Sequence, residues 1–184
     1  MKVLPTPIEG VLLIEPRVFS DNRGSFFETF NEKILVEAGI TLPFVQDNQS
    51  ISKKNVIRGL HFQVPPYEQG KLVRVVRGSV LDVALDLRKG SKTFGRHYSV
   101  ELSADNKLAL WIPPGFAHGF SVLEEDTVFQ CKVTNYYHPA SPESGILFND
   151  QELNIDWKVS NPIISEKDKV LPGFREYCLA IPSH

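Results

Sequence analysis

Cysteine is scarce in this chain: two residues, Cys131 and Cys178, in 184. They form no CxxC pair and have no zinc-type spacing, which argues against a disulfide framework and points to a reducing compartment. Neither sign of charge is in excess. Lys and Arg number 20 and Asp and Glu 22, for a formal charge of −2. That balance argues against a broad nucleic-acid footprint and leaves room for a local cationic pocket. Long apolar runs are missing as well. The segment MKVLPTPIEGVLLIEPRVF holds only four consecutive apolar residues, Val11 to Ile14, flanked by charge and proline. It reads as neither signal peptide nor membrane span, so a soluble, cytoplasmic protein with no membrane and no nucleic-acid partner is expected. No repeat, low-complexity tract or linker divides the chain. A single domain over residues 1–184 is expected, and a chain of that length buries a sufficient core unaided.

What is there reads mostly as short strands. GVLLIEPRVF is a strand ended by proline, and RGSFFETF is one opened by a glycine turn. NEKILVEAG is the clearest helix: Asn31 can cap it, Ile34, Leu35 and Ala38 share a face, and Gly39 can end it. In SVLDVALDLR, Leu81, Val83, Leu85 and Leu87 point one way, and Asp82, Ala84 and Asp86 the other. In LALWIPPG, Leu108, Leu110 and Ile112 share a face. Turn residues at 77–79, 103–106, 113–115 and 124–126 punctuate these runs. Many closely spaced strands predict a sandwich or barrel. The tail from Leu153 predicts loop with a short helix, packed on the barrel.

His61 lies inside the apolar, strand-like run NVIRGLHFQV. Three readings are open for it: a satisfied core or rim residue, a metal ligand, or a proton carrier. The residues two before and two after it are Gly59 and Gln63. Neither these nor His97, His118, His138 and His184 complete an HxH or HxxxH pair, so the sequence offers no metal-ligand pattern. Proton chemistry needs a carboxylate to orient the imidazole and charge to stabilise the product. Arg58, Lys71, Arg74 and Arg77 lie near His61 along the chain, although a solvated charged strand face explains them equally well. In a regular strand Arg58 and His61, three apart, point to opposite faces; a bulge at Gly59 would turn both into one pocket.

The blocks RGLHFQ, QGKLVRVVRGSVLDVALDLRKGS, IPPGFAHGF, TNYYHP, RGSFFETF, QDNQS and SEKD closely resemble the dTDP-4-dehydrorhamnose 3,5-epimerase family, in family order, from about residue 5 to residue 175. The resemblance implies an all-β fold, a cupin-type jelly-roll β-barrel with a few short helices. It also implies a homodimer that binds no metal and uses no cofactor. The activity implied is that of an isomerase acting on a dTDP-linked 4-keto-6-deoxyhexose, in dTDP-L-rhamnose or related deoxysugar synthesis for surface polysaccharide. Carbons 3 and 5 flank the C4 ketone, so loss of either proton gives an enolate, and its return from the other face inverts the centre.

The resemblance places the general base at His61, its aspartate partner at Asp168 and the cation facing the developing oxyanion at Lys71. It assigns substrate contacts to Arg23, Phe26, Glu28, Gln46, Asp47, Asn48, Arg58, His118, Tyr137, Glu143 and Lys167. Tyr137 matches a tyrosine that stacks on thymine, and the spacing from it to Glu143 is one residue longer than the pattern. The chain departs from the family at one chemically important point. The tyrosine expected as proton donor opposite the histidine falls on Cys131. A thiol near pKa ~8.5 is a competent acid, but it is shorter by most of an aromatic ring. Three outcomes follow: Cys131 donates the proton, water or Tyr136 takes over, or only one carbon is inverted. A 3- or 5-monoepimerase, a 3,4-ketoisomerase, a metal-dependent cupin and a non-catalytic sugar-binding jelly roll are the competing readings.

Overall fold

The computed structural model describes residues 1–138 and 144–180. Strands β1 (Lys2–Pro5) and β2 (Leu12–Glu15) open the chain, and Pro16, which has no N–H for a ladder, follows the second. A hairpin of β3 (Val18–Asp21) and β4 (Gly24–Phe27) leads to helix α1 (Glu32–Glu37). The Asn31 side chain caps α1 by accepting from the Ile34 amide, and Gly39 beyond its end has φ +91, so this helix is as the sequence predicts.

The body follows as β5 (Gln46–Ser52), β6 (Ile57–Phe62), β7 (Lys71–Arg77), β8 (Ser79–Asp86), β9 (His97–Ser103), β10 (Ala109–Ile112), β11 (Phe116–Val122), β12 (Thr127–Val133) and β13 (Ser144–Gly145). A 3-10 turn (Asp168–Val170) and α2 (Phe174–Ala180) complete the described chain. The sequence predicts a short helix near the turn but not α2, whose Phe174 side packs on the core.

Two antiparallel sheets face one another: six strands in the order β1-β2-β10-β7-β12-β5, and five in the order β13-β6-β11-β8-β9. The β3–β4 hairpin is hydrogen-bonded to neither. This is the expected cupin-like jelly roll. Between the sheets, Val73, Val75, Leu110 and Ile112 of one meet Val80, Ala84, Phe120 and Val122 of the other. The outer face of the five-stranded sheet is covered too. Leu81, Val83 and Leu85 pack there against Leu153 and Trp157 of the tail, as expected of that segment. Helix α1, through Leu35, covers Ile14, Leu72 and Trp111 on the outside of the other sheet. Each fully buried large apolar side chain here contributes about 1.5–3 kcal/mol.

Because both faces of the five-stranded sheet are covered, all eight residues of β8 are buried. The alternation read from the sequence holds. Its polar side, however, faces the space between the sheets rather than solvent, which takes Asp82 inside.

Candidate active site

A cleft of about 210 Å³ opens between the sheets, lined by Arg58, His61 and His118 from the five-stranded side and by Asn48, Ser50, Lys71 and Cys131 from the six-stranded side. Its geometry depends on a bulge. Across β6 and β11, His61 pairs with His118 and Arg58 with Phe120, so Gly59 and Leu60 together face only Gly119. The extra residue turns Arg58 and His61 to the same side, while Leu60 points outward into the tail core. Only glycine serves at position 59: φ is +114, and a Cβ would sit 2.6 Å from both Gly119 Cα and the His118 carbonyl oxygen.

His61 Nε2 lies 2.7 Å from Asp168 Oδ1, the side chains being 21% and 5% exposed. Asp168 is held by its turn, its amide donating to Ser165 Oγ at 3.1 Å. A carboxylate only accepts, so in the neutral imidazole Nε2 carries the hydrogen and Nδ1 bears the lone pair. Lys71 begins β7 on the facing sheet, two residues from Val73, the cross-strand partner of Cys131. Lys71 and Cys131 therefore form the wall opposite the two histidines. Burial pushes the Cys131 thiol up to about 11; Lys71 opposes this, and Asp82 and Asp47 reinforce it. The thiol is therefore protonated at neutral pH.

His118 is buried and its Nε2 lies 2.9 Å from Asp82 Oδ2. Burial lowers its pKa, Asp82 opposes this, and the neighbouring Lys71 and His61 lower it further. Arg58 donates from Nε to Ser52 Oγ at 3.1 Å. Gln46 donates to Asn48 Oδ1 at 2.8 Å.

The other expected contacts are placed differently. Asp47 pairs with Lys132 at 2.8 Å and lines a neighbouring cavity of about 370 Å³, which Asn48 and Cys131 of the cleft also border. Arg23 pairs with Asp21 at 2.6 Å, and Phe26 is 72% exposed, both on the unattached hairpin. Glu28 accepts from Asn31 Nδ2 just beyond it. Tyr137 is half exposed, and Lys167 is exposed on the turn that carries Asp168. None of these lines the cleft. Of the cations near His61 in sequence, Arg74 lies on the outer face over Phe27 and Arg77 is exposed. Glu143 lies outside the described residues.

Residues not singled out from the sequence also belong here. Asp82, Ser50, Phe120 and Phe129 each line the cleft or hold a residue that does. The one signal for Asp82 was an acid on the alternate side of an otherwise apolar strand. Among the described residues, no group of three or more His, Cys, Asp or Glu is placed to share a metal ion.

Fold and cleft together define a cupin-like jelly roll equipped to move protons beside a cationic group. Comparison with known proteins extends this. The family model of dTDP-4-dehydrorhamnose 3,5-epimerase matches residues 5–176, and the chain belongs to that family. It is 54% identical to the dTDP-4-dehydrorhamnose 3,5-epimerase of Shigella flexneri over 169 residues, which is 91% of this chain and 93% of that one. The crystal structure of the Elizabethkingia anophelis enzyme of that name superposes with a TM-score of 0.91 at 49% identity, covering 96% of this chain and 97% of that one. The Legionella pneumophila enzyme, solved with dTDP-4-keto-L-rhamnose, gives 0.90 at 46%, covering 95% and 93%.

A more distant match is ChmJ, a 3'-monoepimerase of Streptomyces bikiniensis. It gives 0.90 at 31%, covering 98% of this chain and 92% of that one. It was solved as a double variant in which a histidine and a tyrosine 70 positions apart are replaced, the same separation as His61 and Cys131 here. Among the described residues no helix is long and apolar enough to cross a membrane.

Proposed function

We propose that this chain epimerises a dTDP-linked 4-keto-6-deoxyhexose at C3, C5 or both. The carrying observation is His61, backed by Asp168 at 2.7 Å, facing Lys71 and Cys131 across one cleft. His61 Nδ1 takes the proton from the carbon beside the ketone, and the electron pair moves onto the ketone oxygen. Asp168 stabilises the imidazolium that forms, and the Lys71 ammonium stabilises the oxyanion. The Cys131 thiol gives its proton to the opposite face of the carbon. The resulting thiolate recovers a proton from water, and His61 releases its own to solvent. The ketone is a ketone before and after, so no redox partner enters the balance. Arg58 suits a diphosphate because its donors form a planar fork.

A single-domain protomer that pairs as a homodimer belongs to this reading. The β3–β4 hairpin carries Arg23 and Phe26 into solvent, joined to neither sheet. A second copy that covers this arm brings both residues to the nucleotide end of a cleft. The thiol at position 131, shorter than a tyrosine and buried, favours a second reading, inversion of one carbon only.

The test is deuterium uptake from solvent into a dTDP-4-keto-6-deoxy sugar, with both carbons resolved by NMR. Uptake that disappears in His61→Asn supports the proposal; no uptake in the wild type removes it. Uptake at one carbon alone selects the monoepimerase. An unchanged rate in Cys131→Ser eliminates the thiol as donor.

A further inference from the structure

Beside His61 stands a second histidine–aspartate pair with no step in this chemistry. His118 faces His61 directly across the β6–β11 ladder, and Asp82 reaches it from β8. Asp82 is fully buried, and its Oδ1 has no hydrogen-bond partner among the described residues. Removing a carboxylate from water and leaving one oxygen unpaired opposes folding, and an apolar residue between Val80 and Ala84 would continue the core. Packing alone therefore does not account for Asp82.

The bond fixes the ring's chemistry. Asp82 only accepts, so His118 Nε2 must carry hydrogen. The Phe129 ring, stacked 6.1 Å away, and the Phe120 ring at 6.2 Å confine the imidazole. Burial, Lys71 and His61 oppose a second proton, with only Asp82 favouring it. His118 makes no other hydrogen bond among the described residues, and it lines the cleft. The ring nitrogen left for a ligand is Nδ1, bearing a lone pair. His61, the cross-strand partner of His118, lines the same cleft, and its Nδ1 is likewise the basic nitrogen. The one on His61 suits an acidic carbon, and the one on His118 suits a hydroxyl one bond away from it.

We propose that Asp82 is a positioning residue: it holds His118 as the Nε2–H tautomer, so that Nδ1 accepts from the hydroxyl on the sugar carbon beside the ketone. The cleft thereby selects sugars that carry this hydroxyl. The ligand half rests on the epimerase reading; the tautomer half does not.

Nitrogen-15 NMR of the free wild-type protein tests the tautomer. A neutral Nε2–H signature for His118 between about pH 6 and 8 is expected; an Nδ1–H or imidazolium signature overturns the proposal. The second measurement is kcat/KM for total deuterium uptake at the two carbons beside the ketone, with the natural sugar and with its analogue lacking the carbon 3 hydroxyl. The wild type is expected to prefer the natural sugar about 100-fold, since the analogue leaves a buried acceptor unpaired. In Asp82→Asn, which preserves shape but gives a histidine pair the wrong tautomer, the preference is expected to fall to about threefold. A preference that survives Asp82→Asn, or a wild-type preference already below about threefold, overturns hydroxyl selection. The wild-type arms decide the matter even where the variant folds poorly. Absence of uptake with either sugar would sink the activity and the hydroxyl selection together, while the NMR signature still decides the tautomer.

Discussion

Asp82 and His118 on the cleft floor, and Asp168 behind His61, are 0%, 7% and 4% exposed, whereas Phe26 on the β3–β4 hairpin is 72% exposed and the Arg23 side chain 85%. Both regions supply residues expected to serve one substrate. The floor sits between two covered sheet faces, with its backbone register fixed by the bulge at Gly59. Proton transfer needs such fixity, because a base must lie within hydrogen-bond reach of one particular hydrogen. The arm is held by its own ladder and by an ion pair with Asp21, which at that exposure contributes little. Nucleotide contacts tolerate that, since binding itself can order them. On the proposed reading, proton chemistry sits in a tightly constrained part of the chain, and part of the nucleotide binding falls to an exposed one.

The largest effect that tests this division is expected on the floor. His61→Asn should lower kcat by about 10³-fold or more, the range for loss of a positioned general base, while urea denaturation stays close to wild type. Gly59→Ala should destabilise the fold by about 3 kcal/mol, from the left-handed φ and the contact with Gly119. A midpoint unchanged in urea would show that the bulge does not depend on glycine.

Asp86, at the end of β8, sharpens the contrast through pH. Burial works to raise its pKa, but hydrogen bonds from Arg88, Ser91 and Thr93 outweigh it and hold the group at about 2. A folded pKa below the unfolded value gives stability that is present above about pH 4 and is lost as pH falls through 2. Asp86→Asn should therefore cost about 1–2 kcal/mol at pH 7, allowing for solvent screening. The gap to wild type should close near pH 2 in thermal melts.

The smallest effects belong to the arm. Phe26→Ala and Arg23→Ala should shift stability by less than about 0.5 kcal/mol and raise KM about tenfold with kcat little changed. A large fall in Tm for either would mean that the hairpin is part of the core and would end the contrast.

Residues of the site differed in how far sequence revealed them. The resemblance pointed to His61, Lys71 and Asp168 by motif, and the structure brings His61 and Asp168 into contact across 107 positions. The bulge that lets Arg58 and His61 share a pocket was foreshadowed by Gly59 alone. Asp82 was readable only as the polar side of an alternating strand. That side turned inward because the tail from Leu153 covers the other face, a long-range fact that no local pattern records. Asp47 and Asn48, adjacent in one motif, differ at the cleft: of the two only Asn48 lines it, although both border the neighbouring cavity.

By itself the sequence determined the strand-rich class, helix α1 with its cap, the family and the strand alternation, because each follows from local patterns or from motif blocks. Only the tertiary structure decided which side of each strand faces the cleft, that Asp82 partners His118, and that Cys131 shares a wall with Lys71. Those outcomes depend on how two sheets, a tail and a helix divide the available apolar surface, and burial is a property of the whole chain.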